Sequence, residues 1–200
     1  MKGRQIALGR WHGREAAALV VDGVLDDLIV DAEAPRPGTI YRARPDRPVK
    51  GQGGAFLATP EGRVFLRQTR GLGGRRPALV QVTGYAEPGK APPVTTRLAL
   101  KGRYAILTPD APGTNPSRSL RDPDRRAQLV ALAEEILGAR VARTGVILRS
   151  ACAEAEDAEI AAELTALTEA LDRVLADAGE APEMLLEGDG PHALAWRDWT

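Results

Sequence analysis

The stretch TIYRARPDRPVKGQGGAFLATPEGRVFLRQTRGLGGRRPALVQVTGYAEPGKAPPVTTRLAL, residues 39–100, divides into short runs, TIYRAR, GAFLAT, RVFLRQ, ALVQVTGY and PVTTRLAL, punctuated by Gly and Pro. Runs rich in β-branched and aromatic residues, bounded by turn residues, read as strands and leave no length for a helix between them. Five such runs predict a small five-stranded barrel, because short strands that close on themselves bury one face and remove their open edges. Pro60-Glu61-Gly62 predicts the turn between two of the strands, and Pro35 to Gly38 marks the entrance, so the barrel is expected over about 35–97.

On the N-terminal side, runs at 4–10, 15–21 and 24–31 are short and apolar or alternating, and Asp22-Gly23 between the last two predicts a tight hairpin. Beyond Leu98, YAILT reads as a strand and PDAPGTNPSRS as an irregular loop. Asp122 then supplies an N-cap and Pro123 a first helical residue. The following RRAQLVALAEEIL places Leu129, Leu132, Ala133, Ile136 and Leu137 on one face, with Gly138 as the stop. Gly145 to Arg149 reads as a buried strand. A second helix is expected over 154–178, with Ile160, Leu164, Leu167, Leu171, Val174 and Leu175 at helical spacing. Its carboxylates Glu156, Glu159, Glu163 and Glu169 read as a solvated outer face. The tail 183–200 reads as a short strand, a Gly-Asp-Gly turn and a helix start. The fold class is therefore α+β, with the barrel inserted into a discontinuous α/β domain made of 1–34 and 98–200.

The 200 residues carry 44% hydrophobic and 27% charged side chains, a globular balance that excludes disorder of the whole chain. No apolar run reaches the ~20 residues of a membrane span, and MKGRQIALGRWHGR lacks a signal-peptide core, so no membrane partner and a cytoplasmic location are expected. Cys152 is the single cysteine, which excludes an internal disulfide and a paired-thiolate zinc site and reads as a small buried residue. The net charge of zero conceals 22 Lys/Arg against 12 Asp/Glu in 1–126 and 5 against 15 in 127–200. Within 36–103 the surplus is +11. Such a stretch calls for a polyanion, most simply a phosphate backbone, or else for docking on the chain's own acidic half.

The barrel segments interleave aromatic with basic residues in YRAR (41–44), GGAFL (53–57) and RVFLRQ (63–68). That combination suits single-stranded RNA, whose bases stack on aromatic faces while cations follow the phosphates. Phe56 and Phe65, the only phenylalanines, are candidates for stacking, and filling the barrel core is the alternative. Gly51, Gly53 and Gly54 leave room for a ligand or form a bulge. His12 and His192 lie in distant segments and read as surface residues. Trp11, Trp196 and Trp199 offer stacking faces, but the last two read first as helix packing. No phosphate-binding loop of the G-x-x-x-x-G-K-[ST] kind occurs, and GLGG at 71–74 is a turn.

The order IYRAR, VKGQGGAFL, RVFLRQ, GKAPPVTTRLALKGRYAILTP and then GVILRSAC resembles the N-terminal region of the ribonuclease E/G family. The resemblance implies that the barrel is an oligonucleotide-binding (OB) fold, set into a domain that is RNase H-like and carries a 5′-sensor-like region over about 98–180. It implies that Phe56 and Phe65 face RNA and that Lys90 contacts phosphate. It also implies that Gly102 and Ile106 wall a pocket for a 5′-monophosphate, with Arg149 and Ser150 as the phosphate-binding pair. Independently, a guanidinium at a strand end offers a planar fork to phosphate oxygens, although pairing with Glu154 would be an ordinary structural use. Ser150 stands where the family usually has threonine.

Departures from the family are equally informative. Family enzymes cleave RNA with magnesium held by two aspartates in a later domain, one in a segment similar to Val-Asp-Xaa-Asn, and this sequence contains no such segment and no zinc-binding Cys pair. The implied protein binds single-stranded RNA and has no cofactor of its own. The alternative is one part of an active magnesium-dependent endoribonuclease, a hydrolase of RNA processing, whose catalytic domain lies beyond this chain or outside it, and a homo-oligomer or a catalytic partner chain is the protein partner expected.

Overall fold

Residues 2–48, 53–69, 72 and 76–199 are described by the computed structural model of the protein. The first three strands, β1 (Arg4–Trp11), β2 (Arg14–Val21) and β3 (Val24–Val30), form an antiparallel meander. The expected Asp22-Gly23 turn is present, both residues at positive φ (52° and 84°), the geometry whose twist matches paired strands. A second such turn, His12-Gly13 with φ of 48° and 80°, joins β1 to β2. Histidine tolerates the left-handed region better than most residues, so His12 has a backbone role that its side chain conceals.

β4 (Ile40–Pro48), β5 (Ala55–Thr59), β6 (Gly62–Leu66), β7 (Ala78–Val82) and β8 (Pro93–Thr95) make a closed mixed barrel. The order runs β4-β5-β6-β8-β7, and β7 returns to β4. β6 and β8 are parallel, and the other pairs are antiparallel. Tyr41, Ala43, Leu57, Val64, Leu66, Val80, Val82 and Val94 fill the interior. They recur at every second position because successive strand residues point to opposite faces. Each large aliphatic member contributes about 1.5–3 kcal/mol by leaving water.

β9 (Leu100–Lys101), β10 (Ala105–Pro109), β11 (Gly113–Pro116) and β12 (Thr144–Leu148) form a separate sheet in the order β11-β12-β10-β9. Helices α1 (Pro123–Leu137) and α2 (Asp157–Leu175) pack with it through buried Leu129, Ala133, Leu137, Ile160, Leu164, Leu171 and Val174. Asp122 caps α1 as expected, its carboxylate accepting from the Asp124 and Arg125 N–H groups. β13 (Glu183–Leu186) then adds to β4, and α3 (Pro191–Trp199) packs on β2. The chain divides into two compact units, Met1–Thr96 with Glu180–Thr200, and Arg97–Gly179. No helix among the described residues is long and apolar enough to cross a membrane.

Several local readings are corrected. The loop read at 109–119 contains β11, an edge strand parallel to β12, where Pro116 loses no necessary ladder bond. The second helix begins at Asp157 because Ser150–Ala153 forms a 3-10 turn first, and it ends at Leu175, before the expected Gly179. Trp196 is 64% exposed, because α3 turns Pro191 and Ala195 inward instead. Gly51 lies outside the described residues, as does all of GLGG except Leu72.

Candidate nucleic-acid interface

On the β5–β6 hairpin, Phe56 and Phe65 are directly paired across the strands, with ring centroids 5.2 Å apart and planes tilted by 57°. Leu57, Val64 and Leu66 take the inward positions, so the phenylalanines stand on the outer face, half-buried, and neither fills the core. Gly54 explains how Phe65 is held. A Cβ there would lie 2.4 Å from the ring's Cζ and 2.8 Å from the Leu66 carbonyl oxygen, so only glycine lets the ring lie flat against the backbone. Phe65 packing therefore accounts for Gly54, and a ligand's close approach is not needed to explain it.

The basic residues of the barrel and its entrance fall into two groups. Arg42 is 5% exposed, pairs with Glu183 and donates through Nε to the Ala181 carbonyl. Arg36 lies between Asp31 at 2.6 Å and Glu187 at 2.9 Å. Part of the basic surplus is thus neutralised by the acidic C-terminal segment, as the self-docking alternative anticipates. Arg42 of YRAR points into an ion pair and offers nothing to a ligand. Arg44, Arg67 and Arg76 are exposed on the barrel. Lys90 is also exposed, in the β7–β8 loop, where Glu87 holds its Nζ at 2.6 Å. Exposed pairs of this kind contribute little and exchange readily for another anion.

The second constellation lies in the Arg97–Gly179 unit. Ile106 is paired with Lys101 on one side and Ile147 on the other. Ile147 is 40% exposed, so this face of the sheet is open, while Ala105, Leu107, Val146 and Leu148 are buried on the opposite one. Arg149 follows β12 at the same alternation as Ile147. Its guanidinium donates from Nη1 to the Gly102 carbonyl at 2.6 Å, and its backbone N–H donates to the Tyr104 carbonyl at 2.7 Å. Ser150 is exposed and opens the 3-10 turn for which Arg149 is the N-cap residue. Gly102, Ile106, Arg149 and Ser150, distant in sequence, are thereby gathered at one corner of the sheet.

Cys152 is fully buried beneath this corner, its thiol donating to the Tyr104 carbonyl at 3.2 Å, and burial pushes its pKa up to about 11. Glu163 corrects the expectation that the α2 carboxylates face solvent. It is half-buried and accepts the N–H groups of Arg103 at 2.7 Å, Tyr104 at 2.7 Å and Ala105 at 3.0 Å. No helical spacing signals this, because the partners are backbone groups of a remote turn. His192 is held structurally, with Nε2 at 3.1 Å from the carbonyls of Gly9 and Ala16. Among the described residues, no group of three or more His, Cys, Asp or Glu side chains is placed to hold a metal ion.

The model of the family described as "Ribonuclease E/G family" matches residues 99–200. Ribonuclease E of Synechocystis sp. is 28% identical over 171 residues, an overlap that takes in 77% of this chain and 24% of the relative. The chain thus spans about a quarter of the length of the curated relative that it matches.

Proposed function

The chain belongs to the ribonuclease E/G family, and from that premise we propose that it grips single-stranded RNA with the barrel and reads a 5′-monophosphate at the corner of Gly102, Ile106, Arg149 and Ser150. In this reading residues 35–97 are an OB-type module set into a discontinuous domain of 1–34 and 98–200, RNase H-like in kind, with a 5′-sensor-like region over about 98–180. The carrying observation is the Phe56–Phe65 pair, two rings displayed side by side on the outer face of a barrel whose core is complete without them. Aromatic residues so placed give bases a stacking platform, and Arg44, Arg67, Arg76 and Lys90 lie on the same small barrel to follow the phosphates.

At the sheet corner, Arg149 and the Ser150 hydroxyl supply donors for a dianionic terminal phosphate. Gly102 presents only backbone, and Ile106 with Ile147 offers an apolar surface beside them. A second reading is one part of a magnesium-dependent endoribonuclease, and it draws on the length of the relative, of which the chain covers 24%.

One incubation separates the readings. The purified chain, magnesium and a labelled AU-rich single strand should give a complex and no cleavage products. Cleavage by the chain alone would overturn the first reading, and cleavage only on adding a catalytic partner chain would support the second.

A further inference from the structure

We infer that Glu163 is a positioning residue that shapes the 5′-phosphate corner from behind, an inference that rests on the 5′-end reading above. The turn between β9 and β10 aims three consecutive N–H groups, those of Arg103, Tyr104 and Ala105, at one point, and the Glu163 carboxylate occupies it at 2.7–3.0 Å. Converging backbone N–H groups form an anion-binding nest, and here an internal anion fills it. The carboxylate sits so close behind the turn that a Cβ on Gly102 would lie 2.3 Å from its Oε1. Glycine at 102 therefore lets Glu163 reach the nest.

The consequence passes to Arg149 through two carbonyls of the same turn. Gly102 accepts from the Arg149 guanidinium at 2.6 Å, and Tyr104 accepts from the Arg149 backbone N–H at 2.7 Å and from the Cys152 thiol at 3.2 Å. With its N–H groups drawn toward α2, the turn presents these carbonyls to the end of β12. The guanidinium is then fixed in one orientation before any ligand arrives, which reduces the ordering cost of binding. The negative charge of Glu163 does not oppose a phosphate strongly, since three N–H dipoles offset it at close range.

Competition of Glu163 with the RNA phosphate for the nest is the opposite outcome of the test. The two roles predict opposite signs. Glu163→Ala is titrated with matched oligonucleotides bearing 5′-monophosphate or 5′-hydroxyl ends, beside the unmodified chain, and amide exchange at 103–105 is followed in both. The unmodified chain should favour the monophosphate by about tenfold or more, the scale of one charge-assisted bond. Glu163→Ala should reduce that preference to about twofold or less, with faster exchange at 103–105 and unchanged affinity for the hydroxyl-ended strand. Glu163→Gln, which keeps one acceptor oxygen and the side-chain length, should retain an intermediate preference even if the alanine variant folds poorly. Gly102→Ala, which evicts the carboxylate, should copy Glu163→Ala, and the double variant should lose no more than either single one. A monophosphate preference in Glu163→Ala equal to or greater than that of the unmodified chain would overturn the inference while leaving the 5′-end reading intact. Equal affinity of the unmodified chain for both ends would overturn both.

Discussion

Phe56 and Phe65 face each other across a non-core position of the β5–β6 hairpin, 5.2 Å between ring centroids, while Leu57 and Val64 beside them are buried in the barrel. The difference between neighbours one residue apart separates binding from stability. Phe56→Ala should weaken single-stranded RNA binding by roughly 1–3 kcal/mol with little change in Tm. Leu57→Ala should do the reverse, costing about 2–5 kcal/mol of stability. Equilibrium binding and thermal melts of the two variants check this. A large loss of stability in Phe56→Ala with normal affinity of the folded fraction would remove the stacking role.

Arg149→Lys tests the fork at the sheet corner. Lysine keeps the charge but loses the planar geometry that matches phosphate oxygens and the Gly102 carbonyl together. The 5′-monophosphate preference should fall about tenfold in direct titration, while affinity for the hydroxyl-ended strand stays the same.

The Asp31–Arg36 pair makes stability depend on acid. The hydrogen bond from Arg36 holds the Asp31 carboxyl below the ordinary carboxylate range, and Arg36 also reaches Glu187 at 2.9 Å. A carboxylate with a depressed pKa stabilises the fold above its unfolded value and loses that contribution as pH falls through the folded value. Asp31→Asn should therefore be less stable than the unmodified chain near neutral pH, and the gap should close below about pH 4. Urea melts across that range would show it.

Cys152 should resist modification. Only the thiolate attacks an alkylating reagent, and with the pKa pushed up to about 11 the folded chain at pH 8 holds on the order of a hundredfold less thiolate than an exposed cysteine. The sign is opposite to that of Asp31. The neutral thiol is preferred in the fold, so this contribution is intact below the ordinary thiol pKa and drains away as pH rises toward the folded value. Slow labelling by iodoacetamide in buffer and fast labelling in denaturant is the expected result.

The barrel was legible in residues 39–100 because period-two alternation and turn residues are local signals, and the structure closes those runs into a ring. The helices were legible from Asp122-Pro123 and from the Ile160 to Leu171 spacing, though not their ends, which depend on competing turns such as Ser150–Ala153. β11 was missed because an edge strand of Gly, Thr, Asn and Pro carries no strand signal of its own and exists through pairing with β12. The basic surplus was visible, but the burial of Arg42 against Glu183 was not, since the partners lie far apart in sequence. Glu163 shows the same limit. A carboxylate on a helix looks solvated until a distant turn presents its backbone.

RNA gripping and 5′-end reading are tested most directly by one titration of the intact chain with three RNAs of the same sequence: a single strand with a 5′-monophosphate, the same strand with a 5′-hydroxyl, and the duplex. Tightest binding of the monophosphate strand, weaker binding of the hydroxyl strand and weakest binding of the duplex, with all affinities falling steeply as salt rises, is the predicted order. Duplex bound as well as single strands, or binding insensitive to salt, would contradict it.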